Sequence, residues 1–268
     1  MSISLTESFS PLMVFVIFFT VALLFFEIGF FIGKWRKRVQ TSEEKVAEPM
    51  IGGVLGLLAF VLAFSFNIAS GHYETRKQNV LEDANAISTA FLRADLIAEP
   101  QRSAIKSQLI AYTQLRADLL KHQNNLPALL NQAEAVQIKL WKTLAGVPPQ
   151  DRTPLLTSLS AALTNVFDIH EKRINDAIYN RMGNNIWFII FSITFLSTFM
   201  LGVRSGFTGK KSYVTLLPFI SALTLMIYLI TDLDMPQRGL FRVSQQPIFD
   251  TLLFIEQYDE APAPDTLR

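Results

Sequence analysis

The chain has 268 residues, half of them hydrophobic and only 18% charged, against roughly 25% in a soluble domain. Its 24 basic and 23 acidic residues leave a formal charge of +1, so no surplus of Lys and Arg exists to neutralise nucleic-acid phosphates. It has no cysteine, which excludes disulfides, thiolate zinc sites, iron–sulfur clusters and cysteine nucleophiles.

The low charge content is concentrated in four segments, 12–33, 50–71, 186–203 and 213–231, which carry one charge among them, Glu27. A hydrocarbon core about 30 Å thick takes about 20 apolar residues at 1.5 Å per residue. All four are read as transmembrane helices, and the protein as multi-pass in a lipid bilayer. The first, Leu12–Gly33, is too long for a cleavable signal peptide, and no Lys or Arg precedes it. Glu27 lies past its middle, among Phe25, Phe26, Phe30 and Phe31. A lone carboxylate in lipid is costly, so Glu27 is expected to face protein or water, as an ion or proton site, or to reach back towards Lys34–Arg38.

Residues 34–49 follow as a short loop with Lys34, Arg36, Lys37, Arg38 and Lys45, and residues 204–212 form a second with Arg204, Lys210 and Lys211. Short-loop basic residues mark the cytoplasmic side, which places both termini and the long insert outside. The second span, 50–71, sets Gly52, Gly56, Ala59 and Ala63 on one stripe. Small residues let helix backbones approach in lipid, so these are helix-packing candidates. Beside them Phe60, Phe64 and Ile68 recur one turn apart. In several copies around an axis they stack as apolar rings that gate a pore by dewetting; in one copy they face lipid or the bundle. Asn67 is a polar packing candidate.

Residues 72–185 form a helical insert. Val80, Ala84, Ile87 and Phe91 make one stripe, and Ile105, Leu109, Tyr112 and Leu119 a second. Leu130, Ala133, Val136, Leu140 and Leu144 make a third. The last is Leu155 or Leu156, Leu159, Leu163, Val166, Ile169 and Ile174. Breaks at 99–100, 124–127 and 146–149 divide four helices, the first and last continuing the second and third spans. The stripes read as bundle core. Pro100 and Pro154 suit first turns, with Thr153 as a cap.

The third span, 186–203, the loop 204–212 and the fourth span, 213–231, precede a C-terminal segment, 232–268. Asp232 and Asp234, just past the fourth span, form an acidic ring in a symmetric assembly and are ordinary interfacial charges otherwise. The fold is thus all-α, four transmembrane helices with a helical bundle between the second and third. No catalytic constellation stands out. His72, His122 and His170 are scattered, and His170-Glu171 lacks a second His at metalloprotease spacing. No metal, cofactor or enzymatic activity is expected.

Residues 52–102, with Glu82, Asn85, Ala86, Leu92, Arg93 and Pro100, and residues 232–250, with Asp232, Asp234, Pro236 and Gly239, resemble the bestrophin-like membrane proteins of bacteria. That family is similar to bestrophins, pentameric anion channels whose second span lines the pore with three bulky apolar residues at successive turns. The resemblance implies a bacterial inner-membrane homopentamer that conducts inorganic ions. Phe60, Phe64 and Ile68 would form its neck, and the insert a vestibule. The acidic calcium clasp of the animal channels is missing, so calcium gating is not implied. Bestrophins also keep the insert in the cytosol, opposite to the side read from loop charge. The other reading is a non-conducting scaffold or sensor whose helical domain binds a partner or ligand.

Overall fold

The computed structural model describes residues 11–37, 44–118, 126–178, 180–235 and 240–260, and among these all regular structure is helical. Eight α-helices run α1 Pro11–Lys37, α2 Glu44–Ala94, α3 Gln101–Asp118, α4 Leu126–Ala145, α5 Pro154–Ile178, α6 Asn184–Thr208, α7 Tyr213–Asp234 and α8 Gln246–Glu260. Four, within α1, α2, α6 and α7, are long and apolar enough to cross a membrane. The chain divides into two compact units, Met1–Tyr73 with Asn180–Arg242, and Glu74–Tyr179 with Val243–Arg268.

The first unit holds α1, the start of α2, α6 and α7. In a medium without water every backbone polar group must bond internally, which helices achieve alone. The hydroxyls follow the same rule. Ser65, Thr194, Ser197, Thr224 and Thr231 each donate to the carbonyl four residues back at 2.7–2.8 Å. α1 and α6 pack through glycines, with Gly29 and Gly33 meeting the α6 backbone and Gly202 and Gly206 the α1 backbone. Aromatic pairs flank the crossing, Phe18 with Phe191 at 4.5 Å and Phe25 with Phe195 at 4.9 Å. Ala22 and Phe26 pack with Leu216 and Ile220 of α7. Leu58, Leu62 and Ala69 of α2 join Trp187, Ile190, Ile227 and Ile230 in another cluster. Gly209 closes α6 at φ 73°, where a side chain would be strained, and its N–H donates to Ser205 O at 3.0 Å.

The second unit is a bundle whose core is the set of expected stripes. Ile87, Phe91, Ile105, Leu109, Tyr112, Leu140, Leu159 and Leu163 are fully buried together. Leu119 lies outside the described residues. Pro154 does open α5, and Glu99 caps α3 by accepting from Ser103 Oγ at 2.7 Å and Ser103 N at 3.3 Å. Two features differ from the sequence reading. The last helix of the insert does not continue the third span: α5 ends at Ile178, and α6 begins at Asn184 after Gly183. The C-terminal segment also supplies a fifth helix, since Ile248 and Ile255 of α8 are fully buried in the bundle core.

Candidate functional site

The spanning part of α2 has two contrasting faces. Ile51, Leu58, Leu62, Ser65 and Ala69 are buried. Gly52, Gly53, Gly56, Ala59, Phe60, Ala63, Phe64, Asn67 and Gly71 are exposed. A methyl group added to Gly52, Gly53, Gly56 or Gly71 would meet nothing within 4 Å. Phe60 and Phe64 are 68% and 59% exposed, and their rings stack on each other at 6.5 Å. Ile68 is half-buried and packs on the cluster around Leu58 and Trp187. The exposed stripe therefore continues from Phe64 to Asn67 and Gly71 rather than to Ile68. Among the described residues nothing approaches Gly52 or Gly56, and Ala59 and Ala63 are exposed. The packing glycines are Gly29, Gly33, Gly202 and Gly206 instead.

Glu27 faces protein, and its partner comes from the second short loop. Its carboxylate pairs with Lys211 Nζ and accepts from Tyr213 Oη at 3.1 Å. The ammonium sits 4.3 Å from the Phe30 ring and 5.3 Å from the Phe31 ring. The hydrogen bond to Glu27 holds Lys211 above the usual ammonium range. The aromatic residues around Glu27 thus cover its counter-ion.

Asp232 and Asp234 are buried, and both accept from backbone amides. Asp232 receives Leu240 N at 3.0 Å and Phe241 N at 2.8 Å. Asp234 receives Met182 N at 3.1 Å and lies 3.0 Å from His72 Nδ1. They tie the end of α7 to the turns before α6 and after α7. Pro236 and Gly239 of the same motif lie outside the described residues, as does His122.

The second unit contains a buried charge cluster of which the sequence reading names only Tyr112, as part of a core stripe, and His170, as an isolated histidine. Asp83 of α2 is fully buried and pairs with Arg116 of α3 and Arg173 of α5. Arg116 donates from Nε at 3.2 Å and from Nη2 at 2.8 Å. Arg173 also donates to Gln245 Oε1 at 2.8 Å. Arg116 Nη1 and Tyr112 Oη each stand 3.2 Å from Nδ1 of His170. Burial first, then the Arg116 charge, pushes His170 down to about 4, and burial pushes Tyr112 up to about 12. The available signal was periodic: Asp83 lies one turn from Val80 and Ile87, and Arg116 one turn from Tyr112. On the outside of α2 and α5, a groove of about 440 Å³ is lined by Glu82, Asn85, Thr89, Asn165, Asp168 and Lys172.

The sequence model of the bestrophin-like domain matches residues 12–248. The chain belongs to the bestrophin-like domain family. The match takes in all four apolar helices and ends inside α8. The resemblance carried by residues 52–102 and 232–250 thus extends to most of this chain. No curated protein matches the sequence, and no solved structure matches it.

Proposed function

We propose that the chain assembles into a homo-oligomeric ion channel, a ring of five around α2, in the bacterial inner membrane. One observation carries this reading, the composition of the uncovered face of α2. The outward faces of the other apolar helices are built from large groups such as Val16, Ile28, Phe188, Leu196, Val214 and Leu225. Such side chains suit lipid. The uncovered face of α2 is mixed: Met50, Leu57, Phe60 and Phe64 are exposed on it, but so are the small residues Gly52, Gly53, Gly56, Ala59, Ala63 and Gly71, with Asn67. Small residues gain little from lipid but allow another helix to approach closely. Phe60 and Phe64, one turn apart, would then form two apolar rings that exclude water when the pore is narrow. That face carries no charge, so ion preference would come from pore width and desolvation. Glu27, Asp232 and Asp234 would act as protomer ties and leave the path uncharged.

The family supports a channel-type activity and lends no support to catalysis. A cryo-EM reconstruction of the purified protein tests the reading. Rotational symmetry with Phe60 and Phe64 pointing to the axis is expected. A monomer or dimer with those rings against detergent would overturn it. We place the short loops in the cytoplasm, from Lys34, Arg36, Lys37, Lys210 and Lys211. A Gln132→Cys variant should react with an impermeant maleimide added outside intact cells, since the chain has no other thiol. Labelling only after lysis would reverse the orientation. The groove beside Glu82 and Lys172, whose lining also includes Ala86 and Ile169, favours a second reading, a scaffold or sensor whose helical domain binds a partner or ligand without conducting. That reading requires an assembly without a central path.

A further inference from the structure

α4 and α5 bring together Glu134, His170 and Glu171, residues far apart or unremarkable in sequence. One ligand atom from each lies within 4.8 Å of the others. His170 is 0% exposed, whereas both glutamates are exposed, so the group has a buried base and a solvent-accessible rim. The two imidazole nitrogens differ. Nδ1 is occupied on the core side, 3.2 Å from Tyr112 Oη and 3.2 Å from Arg116 Nη1. Nε2 is buried and has no hydrogen-bond partner among the described residues. A buried polar atom left unsatisfied costs about 1–3 kcal/mol, so its surroundings point to an occupant.

Three features select the chemistry of that occupant. An anion is disfavoured because both rim groups are carboxylates. A direct hydrogen bond from Nε2 to either glutamate is not formed, yet the ligand atoms lie within 4.8 Å. An ion with bonds of about 2.0–2.2 Å bridges such a gap after small side-chain rotations. One imidazole with two carboxylates is a mixed nitrogen and oxygen set. It suits Zn²⁺ and its neighbours, whereas Ca²⁺ and Mg²⁺ favour oxygen alone. The charges are also compatible. Two glutamates offset a dication, so the excess of one positive charge in the adjoining Asp83, Arg116 and Arg173 group is not increased.

We propose that Glu134, His170 Nε2 and Glu171 form a binding site for a divalent transition-metal ion of the Zn²⁺ type, with a further position open to water. In the bound state Nδ1 carries the proton and donates it to Tyr112 Oη, which Gln137 Nε2 also approaches at 3.4 Å, and Arg116 Nη1, which donates to Nδ1 at 3.2 Å in this structure, turns aside. This orientation of a ligating histidine by a partner on its other nitrogen is usual in metal sites. Arg116 keeps Asp83 through Nε and Nη2. Because Glu134 and His170 stand on different helices, the ion ties α4 to α5.

The test uses full-length protein purified without a histidine tag, stripped with a chelator and titrated with Zn²⁺ alone. Bound metal is read by mass spectrometry, affinity by competition with a fluorescent chelator, and folding by circular dichroism. One Zn²⁺ per protomer is expected. Glu134→Gln combined with Glu171→Gln should weaken binding at least tenfold with helix content unchanged. These glutamates are exposed, so the variant keeps the core intact. His72→Gln should bind as the parent protein does, and excess Mg²⁺ should not displace Zn²⁺. Absence of saturable binding, equal affinity in the double glutamine variant, or displacement by Mg²⁺ would each overturn the assignment.

Discussion

Gly206 of α6 lies against Gly33 of α1 so closely that a methyl group on Gly206 would stand 2.8 Å from Gly33 Cα. One turn earlier, a methyl on Gly202 would fall 2.9 Å from the carbonyl carbon of Phe26 and 3.0 Å from Phe30 N. These obstacles are backbone atoms, so they cannot swing aside. Gly202→Leu or Gly206→Leu should force the crossing apart at a cost of at least about 1–3 kcal/mol, the usual range for overpacking. A clear fall in the melting temperature of the detergent-solubilised protein is expected. Gly56→Leu should leave that melting temperature unaffected at the protomer level, because nothing lies within 4 Å of Gly56. A low-melting Gly56→Leu protomer would contradict the assignment of the two kinds of glycine.

Asp83 pairs with both Arg116 and Arg173. Removing one member of a buried ionic group leaves the others uncompensated, typically at about 3–5 kcal/mol. Asp83→Ala in the full chain should therefore melt well below the parent in a thermal scan. Lys172→Ala removes an exposed pair with Glu82 and should change stability by less than about 1 kcal/mol. Equal melting of the two variants would contradict the cluster's structural role.

Asp234 holds the Met182 amide and His72, and Asp232 holds the amides of Leu240 and Phe241. Alanine at Asp234 strands the buried Met182 N–H, at about 1–3 kcal/mol, whereas alanine at Asp232 strands the part-buried N–H groups of Leu240 and Phe241 and should cost less. Asparagine keeps one acceptor oxygen and should recover part of that loss. The ordering parent, Asn, Ala in melting temperature checks this. Full stability of both alanine variants would show that the carboxylates are not the ties described.

The Glu27–Lys211 pair is partly exposed, so its worth is modest. A double-mutant cycle with Glu27→Gln and Lys211→Met should give a coupling of about 1 kcal/mol or less. In flux measurements Glu27→Gln should leave ion preference unchanged. A changed preference would put Glu27 on the conduction path.

Periodicity and hydropathy carried much of the fold, and particular residues show where they stopped. Ile87, Phe91, Leu109 and Leu163 are buried as their spacing requires, because a helix in water has one apolar face to hide. In lipid that contrast vanishes, since lipid and protein interior are equally apolar. The small-residue stripe therefore singles out Gly52 and Gly56 and not Gly29, Gly33, Gly202 and Gly206, although among the described residues it is the last four of these six that meet a neighbouring helix. Glu27 was recognisable as a residue in need of a partner. That the partner is Lys211, from the other short loop, follows from packing α1 against α7. The meeting of Glu134 with His170 is likewise a tertiary fact, set by α4 lying beside α5. α8 was missed because its polar face and short length resemble a tail. Its role rests on Ile248 and Ile255, which lie seven residues apart on one face.

The central claim is that the uncovered face of α2 surrounds an ion path narrowed by Phe60 and Phe64. Ion flux through liposomes containing the purified protein tests it most directly, with parent and Phe60→Ala/Phe64→Ala compared at equal reconstitution. Removing two apolar rings lowers the dewetting barrier, so the account predicts flux in the parent and a several-fold increase in the variant. No flux from either protein, or equal flux from both, would contradict it.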